Sequence, residues 1–181
     1  MRLLHAFALL ALLSTTANAQ EGASAPPPPL VPAEVVAIME KAVDGAIRPG
    51  YAAFSDSTRR LGHDLRALCD APSAATLDSA RGAFKATAAQ WARIEIVRAG
   101  PVLQDNRFER ILYHPDRKGL GLRQVQALLA EQDASVLEAG ALRGKSVAVQ
   151  GLGALEFVLF GTGSDGLASQ AEPYRCRYGV A

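Results

Sequence analysis

Apolar residues recur at helical spacing along most of this chain, and the pattern predicts a series of helices separated by turns. No stretch alternates apolar and polar residues with a period of two between turn signals, as half-buried strands do. The pattern therefore predicts an all-α fold, a helical bundle. The expected helices span residues 33–47, 51–69, 75–98, 107–113, 120–129 and 145–160.

Proline and glycine mark the expected helix ends. Pro49-Gly50 is expected to break the first helix, and Gly100-Pro101 to end the third. Residues 174–181 resemble the first turns of a further helix, for which no following partner helix is present. We therefore expect a bundle that is truncated after its first half.

The first 19 residues have the three parts of a bacterial signal peptide. Arg2 supplies the positive charge, residues 3–13 form an apolar run, and Ala17-Asn18-Ala19 is a small-x-small cleavage site. The apolar run is too short for a permanent membrane anchor. We expect cleavage after Ala19 and a location in the periplasm or cell envelope, with full secretion as the alternative.

Residues 20–32 are rich in proline and predict an extended linker. A ligand for a proline-recognition domain is the alternative for this segment. The helical domain is then expected to span residues 33–181.

Composition narrows the functional classes. The chain has 181 residues, 49% hydrophobic and 20% charged, which fits one globular domain and excludes a disordered polymer. Without Arg2, 18 basic residues balance 18 acidic ones, so no charge excess favours nucleic acid as a partner. No apolar run after the signal peptide is long enough for a transmembrane segment.

Two cysteines are present, Cys69 and Cys176. In an oxidising compartment they can pair only with each other, which predicts a disulfide. Two buried free thiols are the alternative.

Glu95 lies on the same helical arc as Phe84 and Trp91, so its carboxylate is expected to point inward. A buried carboxylate costs several kcal/mol unless it is paired, hydrogen-bonded or bound to metal. Arg98, three residues later, could supply a structural ion pair. A ligand-binding or catalytic role for Glu95 is the other interpretation.

Glu156 raises the same question on the last predicted helix. That helix is apolar almost all round, which is typical of a central helix, so Glu156 is also expected to face protein. Gly151 and Gly153 precede it, although glycine costs about 0.5–1 kcal/mol relative to alanine within a helix. Either the helix packs closely against a neighbour here, or Gly153 leaves room for a ligand beside Glu156.

The sequence lacks the common local motifs of other catalytic sites. His63 and His114 are the histidines beyond the signal peptide, and neither belongs to a His-Glu-x-x-His motif. Each could supply one metal ligand. No Gly-x-Ser-x-Gly elbow and no phosphate-binding loop are present. The sequence identifies no catalytic residue.

Several segments together resemble the imelysin family, also classed as the M75 peptidases. They are Trp91-Ala92-Arg93-Ile94-Glu95, Arg98, Gly100-Pro101, residues 107–111, His114-Pro115-Asp116, residues 150–156 with Leu159 and Gly161, and residues 175–178. The resemblance implies a bacterial envelope protein with an all-α bundle of two related halves, tied to peptidase activity or iron acquisition. It also implies that this chain holds the N-terminal half.

The hallmark of that family is Gly-x-His-x-x-Glu, and this chain has Gly153 where the histidine belongs. A histidine and a glutamate three residues apart share a helix face and can bind one metal ion. Without that imidazole, Glu95 and Glu156 are expected to approach each other and form an oxygen-rich site. Such a site suits a hard cation such as ferric iron better than zinc.

Three functions follow as hypotheses. The favoured one is a non-catalytic envelope module that binds a metal, a metal complex or a protein partner, because a catalytic metal needs about three protein ligands. The alternatives are a metallopeptidase of the M75 type and a structural interaction protein of the envelope.

The signal peptide gives a direct prediction. N-terminal sequencing of the protein from a cell-envelope fraction should begin at Gln20, because cleavage follows the Ala17-Asn18-Ala19 site. Envelope material that still begins at Met1 would contradict export.

Overall fold

A computed structural model describes residue 29 and residues 31–138 and 140–181 of the chain. These ranges contain α-helices and short 3-10 turns and no strand, which confirms the predicted all-α fold. The signal peptide and nearly all of the linker lie outside the described residues. The helices are α1 (Pro32–Ala42), α2 (Arg48–Asp70), α3 (Ala74–Ile94), α4 (Arg107–Ile111), α5 (Leu120–Glu131), α6 (Gly151–Phe160) and α7 (Pro173–Val180).

The chain does not break at Pro49, contrary to the expectation from the sequence. α1 continues through a π-helical turn, Val43–Ile47, directly into α2. Proline lacks an N–H, and its ring clashes with the carbonyl four residues earlier in an α-helix. The wider turn just before Pro49 accommodates the ring, because there the Arg48 N–H bonds to the Val43 carbonyl five residues back. Pro32, assigned to the linker, is the first residue of α1.

α2 and α3 pack against each other and provide much of the core. Ser73 caps α3: its hydroxyl accepts a hydrogen bond from the Thr76 N–H at 3.2 Å. The helix ends at Ile94, four residues before the expected end. The buried apolar residues of the two helices recur at helical spacing and are Phe54, Leu61, Leu65, Leu68, Leu77, Ala80, Ala83, Phe84, Trp91 and Ile94.

An aromatic cluster closes the end of the core near the C-terminus of α3. The Trp91 side chain is 1% exposed, and its ring centroid lies 5.2 Å from those of both Phe54 and Phe108. Such tilted pairs contribute about 0.5–1.5 kcal/mol each beyond the area that they bury. Phe108 belongs to α4, so the cluster fixes this short helix to the α2–α3 pair.

The last helix, α7, is covered by its neighbours. It packs against α2 and α6, and Tyr174, Cys176 and Tyr178 are buried. The expectation of an uncovered final helix was therefore wrong. The Tyr178 hydroxyl donates to the Val149 carbonyl, and burial raises the pKa of this phenol above its ordinary value.

The predicted disulfide between Cys69 and Cys176 is present and joins the end of α2 to α7. The two Cα atoms are 5.6 Å apart, and 107 residues separate the cysteines along the chain. No helix within the described ranges is long and apolar enough to cross a membrane.

Loss of this disulfide should destabilise the fold. The chain-entropy model gives about 4–5 kcal/mol for a loop of this length, and measured values often fall below it. Urea unfolding of Cys69→Ser/Cys176→Ser should therefore show a lower free energy of unfolding than the parent chain. Reduction of the parent should reproduce the loss, whereas reductant should not affect the double variant. Equal stabilities of parent and variant would show that the bond contributes nothing.

Candidate functional site

One cavity of about 390 Å3 lies between α6, α5 and the segment that joins α4 to α5. Its wall combines apolar and aromatic side chains with a few polar groups, as ligand sites do. The residues that line it are Leu112, Tyr113, His114, Asp116, Gly121, Leu122, Val125, Ala148, Gly153, Glu156, Phe157, Phe160 and Gly161.

α6 presents one helical face to this cavity. Gly153, Glu156, Phe157 and Phe160 follow the spacing i, i+3, i+4, i+7 and therefore lie on one side of the helix. Glu156 is exposed at the cavity, so the expectation that it faces protein was wrong. Phe157 and Phe160 lie on the cavity face of α6. Because they are apolar, the sequence of this helix resembles that of a central, fully surrounded helix.

Gly151 begins α6 with a backbone conformation that favours glycine, φ +71°. A Cβ atom at this position would lie 2.0 Å from the Arg110 carbonyl oxygen and 2.5 Å from that of Ile111. The end of α4 therefore approaches the start of α6 too closely for any side chain. Close packing, one of the two explanations for these glycines, is the reason for Gly151.

Gly153 has a different role. A Cβ atom here would meet one neighbour, Leu112 Cδ1, at the ordinary contact distance of 3.9 Å. The position borders the cavity and has space for a side chain. Close packing therefore does not explain Gly153, which leaves open space on the cavity wall three residues before Glu156.

A polar network holds the chain just before α6. The Gln150 amide nitrogen donates to the carbonyls of Leu142 at 2.8 Å and Ser146 at 3.1 Å. The Arg110 guanidinium donates to the Gln150 side-chain oxygen at 3.2 Å and to the Arg143 carbonyl at 2.9 Å. α6 consequently begins at Gly151, after a 3-10 turn, and not at residue 145 as expected.

Two arginines that sequence analysis did not single out for this role support the rim of the cavity. Arg81 of α3 donates to the Leu159 carbonyl at 2.8 Å and to the Ser164 hydroxyl at 3.1 Å. Arg175 of α7 donates to the Thr162 carbonyl at 2.8 Å, and burial lowers the pKa of its guanidinium. Arg175 belongs to the segment that carries the imelysin resemblance, whereas no sequence signal marks Arg81.

Asp116, on the cavity wall, caps α5. Its two carboxylate oxygens accept hydrogen bonds from the N–H groups of Leu120 at 2.7 Å and Gly121 at 2.8 Å. His114 and Glu156 make no hydrogen bond or ion pair within the described residues, so their polar atoms are available to a ligand. His63 lies on the surface beside Asp64 and lines no part of this cavity.

The structure does not bring Glu95 to this cavity. Glu95 is the residue that follows α3, where it is half-buried, and it lines no part of the cavity. Arg98 does not pair with it, because the guanidinium lies over the Phe108 ring at 4.3 Å from the centroid. Trp91 and Arg98, two of the motif residues, therefore belong to the aromatic cluster. Glu95 keeps helical backbone angles as the C-cap of α3, but its side chain is only half-buried, so the expected position in the core is not observed.

Glu156 and His114 are two residues of the cavity wall whose side chains carry a carboxylate and an imidazole. Both groups are common metal ligands, and Gly153 lies three residues before Glu156 on the same face of α6. Within the ranges that the structure describes, no group of three or more His, Cys, Asp or Glu side chains is placed to hold a metal ion.

The fold and site define a helical protein with an open cavity along one face of the short helix α6. A family model described as Peptidase_M75: Imelysin matches residues 47–181. The crystal structure of an imelysin-like protein from Psychrobacter arcticum 273-4 superposes with a TM-score of 0.68 and 25% sequence identity. No curated protein sequence matches the chain.

The chain belongs to the imelysin family, which confirms the resemblance seen in its motifs. The superposition covers 83% of this chain and 48% of the Psychrobacter protein, so this chain spans about half the length of that structure.

The two glycines of the motif should respond in opposite directions to the same substitution. Gly151→Ala should destabilise the protein by about 2 kcal/mol or more, because the new methyl group overlaps a carbonyl at positive φ. Gly153→Ala should stabilise it by about 0.5–1 kcal/mol through helix propensity. Thermal and urea unfolding of both variants measure the difference. Similar effects at the two positions would contradict these roles.

Proposed function

We propose that this protein is a non-catalytic binding module of the bacterial cell envelope that holds a metal ion or a metal complex in the cavity beside α6. The observation that supports this most directly is the shared cavity of Gly153, Glu156 and His114. The hallmark segment thus borders a cavity and is not buried in the core. A hard cation such as ferric iron suits the carboxylate of Glu156.

The number of protein ligands favours binding over catalysis. A catalytic metal is usually held by three protein side chains with one open position. Here Glu156 and His114 are cavity residues whose side chains make no hydrogen bond within the described residues, whereas Asp116 already accepts two from the backbone of α5. Two ligands hold a metal loosely, which suits a protein that binds a metal and later releases it.

Substitution of Glu156 tests this function. Glu156→Gln should weaken the binding of iron(III), supplied as its nitrilotriacetate complex, by about tenfold or more, because the charged ligand is lost. Glu109→Gln is the matched control, since Glu109 is exposed on α4 and does not line the cavity. Isothermal titration calorimetry and the iron content after gel filtration give the affinities. Equal binding by both variants and the parent would overturn the proposal.

Gly153→His supplies a second, independent test of the same cavity. The structure has space for a side chain at this position, so the variant should fold. Its imidazole would lie three residues before Glu156 on the same helix face, where both can bind one ion. Iron(III) and zinc(II) affinity should both rise, with a larger relative gain for zinc because imidazole suits it. Loss of affinity in a folded variant would argue against a metal at this face.

A further inference from the structure

We propose that the metal enters as a small anionic chelate, whose negative groups bind in a basic groove next to the cavity. This inference rests on the proposed function and adds the chemical class of the ligand. The groove has a volume of about 420 Å3 and contains three cationic side chains, Arg117, Lys118 and Arg123.

The groove and the cavity lie next to each other, because Tyr113 and Asp116 line both of them. A ligand of moderate size can therefore contact Glu156 and His114 with one end and the basic groove with the other. Tyr113, half-buried on the shared wall, offers an aromatic ring and a hydroxyl group between the two.

The three cations lack acidic partners. Within the described residues, Arg117 and Lys118 make no ion pair, and the Arg123 guanidinium donates to the Lys118 carbonyl. The nearest acidic group on the groove wall is Asp116, whose carboxylate already accepts two backbone hydrogen bonds from α5. Three like charges within seven residues repel one another, and a multiply charged anion would relieve that repulsion.

The cavity, unlike the groove, favours a positively charged group of the ligand. Glu156 is exposed there without a cationic partner, and it suits a metal ion better than a carboxylate or phosphate group. A chelate combines both requirements, since its metal carries positive charge and its outer carboxylates carry negative charge. It also brings its own ligands, so two protein side chains are enough to complete the coordination.

Calorimetric titration of the purified full chain with iron(III)–citrate tests this assignment. The variant Arg117→Gln/Lys118→Gln/Arg123→Gln should bind the complex about tenfold more weakly at low salt, which corresponds to a modest contribution from each exposed charge. The loss should shrink as ionic strength rises, because the charges are exposed. Iron(III)–nitrilotriacetate carries much less negative charge, and its affinity should change little in the same variant.

The matched control is Arg60→Gln/Arg66→Gln/Arg93→Gln. It makes the same change in net charge at three exposed positions on α2 and α3, none of which lines the cavity or the groove. Its affinity for iron(III)–citrate should equal that of the parent. An equal loss in the control would show that net charge, and not the groove, attracts the ligand, and would overturn the inference.

Three further outcomes separate this inference from the proposed function. Undiminished iron(III)–citrate binding in the groove variant, with Glu156-dependent binding of iron(III)–nitrilotriacetate, would overturn the inference and leave the proposed function standing. Citrate alone binding as tightly as its iron complex would also overturn the inference, because the metal would then have no part. Failure of the parent chain to bind iron(III) in either form would overturn both.

Discussion

The close approach of α4 and α6 is the constraint on which the rest of the site depends. The carbonyl oxygen of Arg110 lies only 2.0 Å from where a Cβ atom of residue 151 would be, so the two helices can approach this closely only at a glycine. This contact fixes where α6 begins and therefore which of its residues share a face. Because α6 starts at Gly151, Gly153 and Glu156 lie on the helix face that borders the cavity.

Hydrogen bonds from two arginines fix the C-terminal end of α6. The last carbonyls of a helix have no partner within the helix, and here two arginines donate hydrogen bonds to this region. Arg81 comes from α3 and Arg175 from α7, so the rim of the cavity is connected to both sides of the bundle. Positive charge at a helix C-terminus is also favourable electrostatically. A short helix thus obtains a fixed position from groups distant in sequence.

The residues of the family motif divide into two groups with different physical roles. Trp91 and Arg98 belong to the aromatic cluster that joins α4 to the α2–α3 pair, and they act on the site through the position of α4. Gly153 and Glu156 border the cavity. The scaffold residues of the motif and the residues that line the cavity are therefore different, so a substitution at one cavity position can leave the scaffold intact.

The sequence by itself determined the all-α fold, the pairing of Cys69 with Cys176 and membership of the imelysin family. These follow from helical periodicity, from the presence of two cysteines, and from local motifs, all of which are properties of the chain. The uninterrupted passage from α1 to α2 could not be predicted, because a π-helical turn before Pro49 leaves no signature in residue types.

Only the tertiary structure decided what Glu95 and Glu156 face. A helical wheel gives the direction of a side chain relative to its own helix, but not which neighbour lies in that direction or whether a neighbour is present. On α6 the apolar face at Phe157 and Phe160 borders an open cavity, and Glu95 at the C-cap of α3 is half-buried although its backbone is helical. Burial depends on the arrangement of several helices, and a single helix cannot specify it.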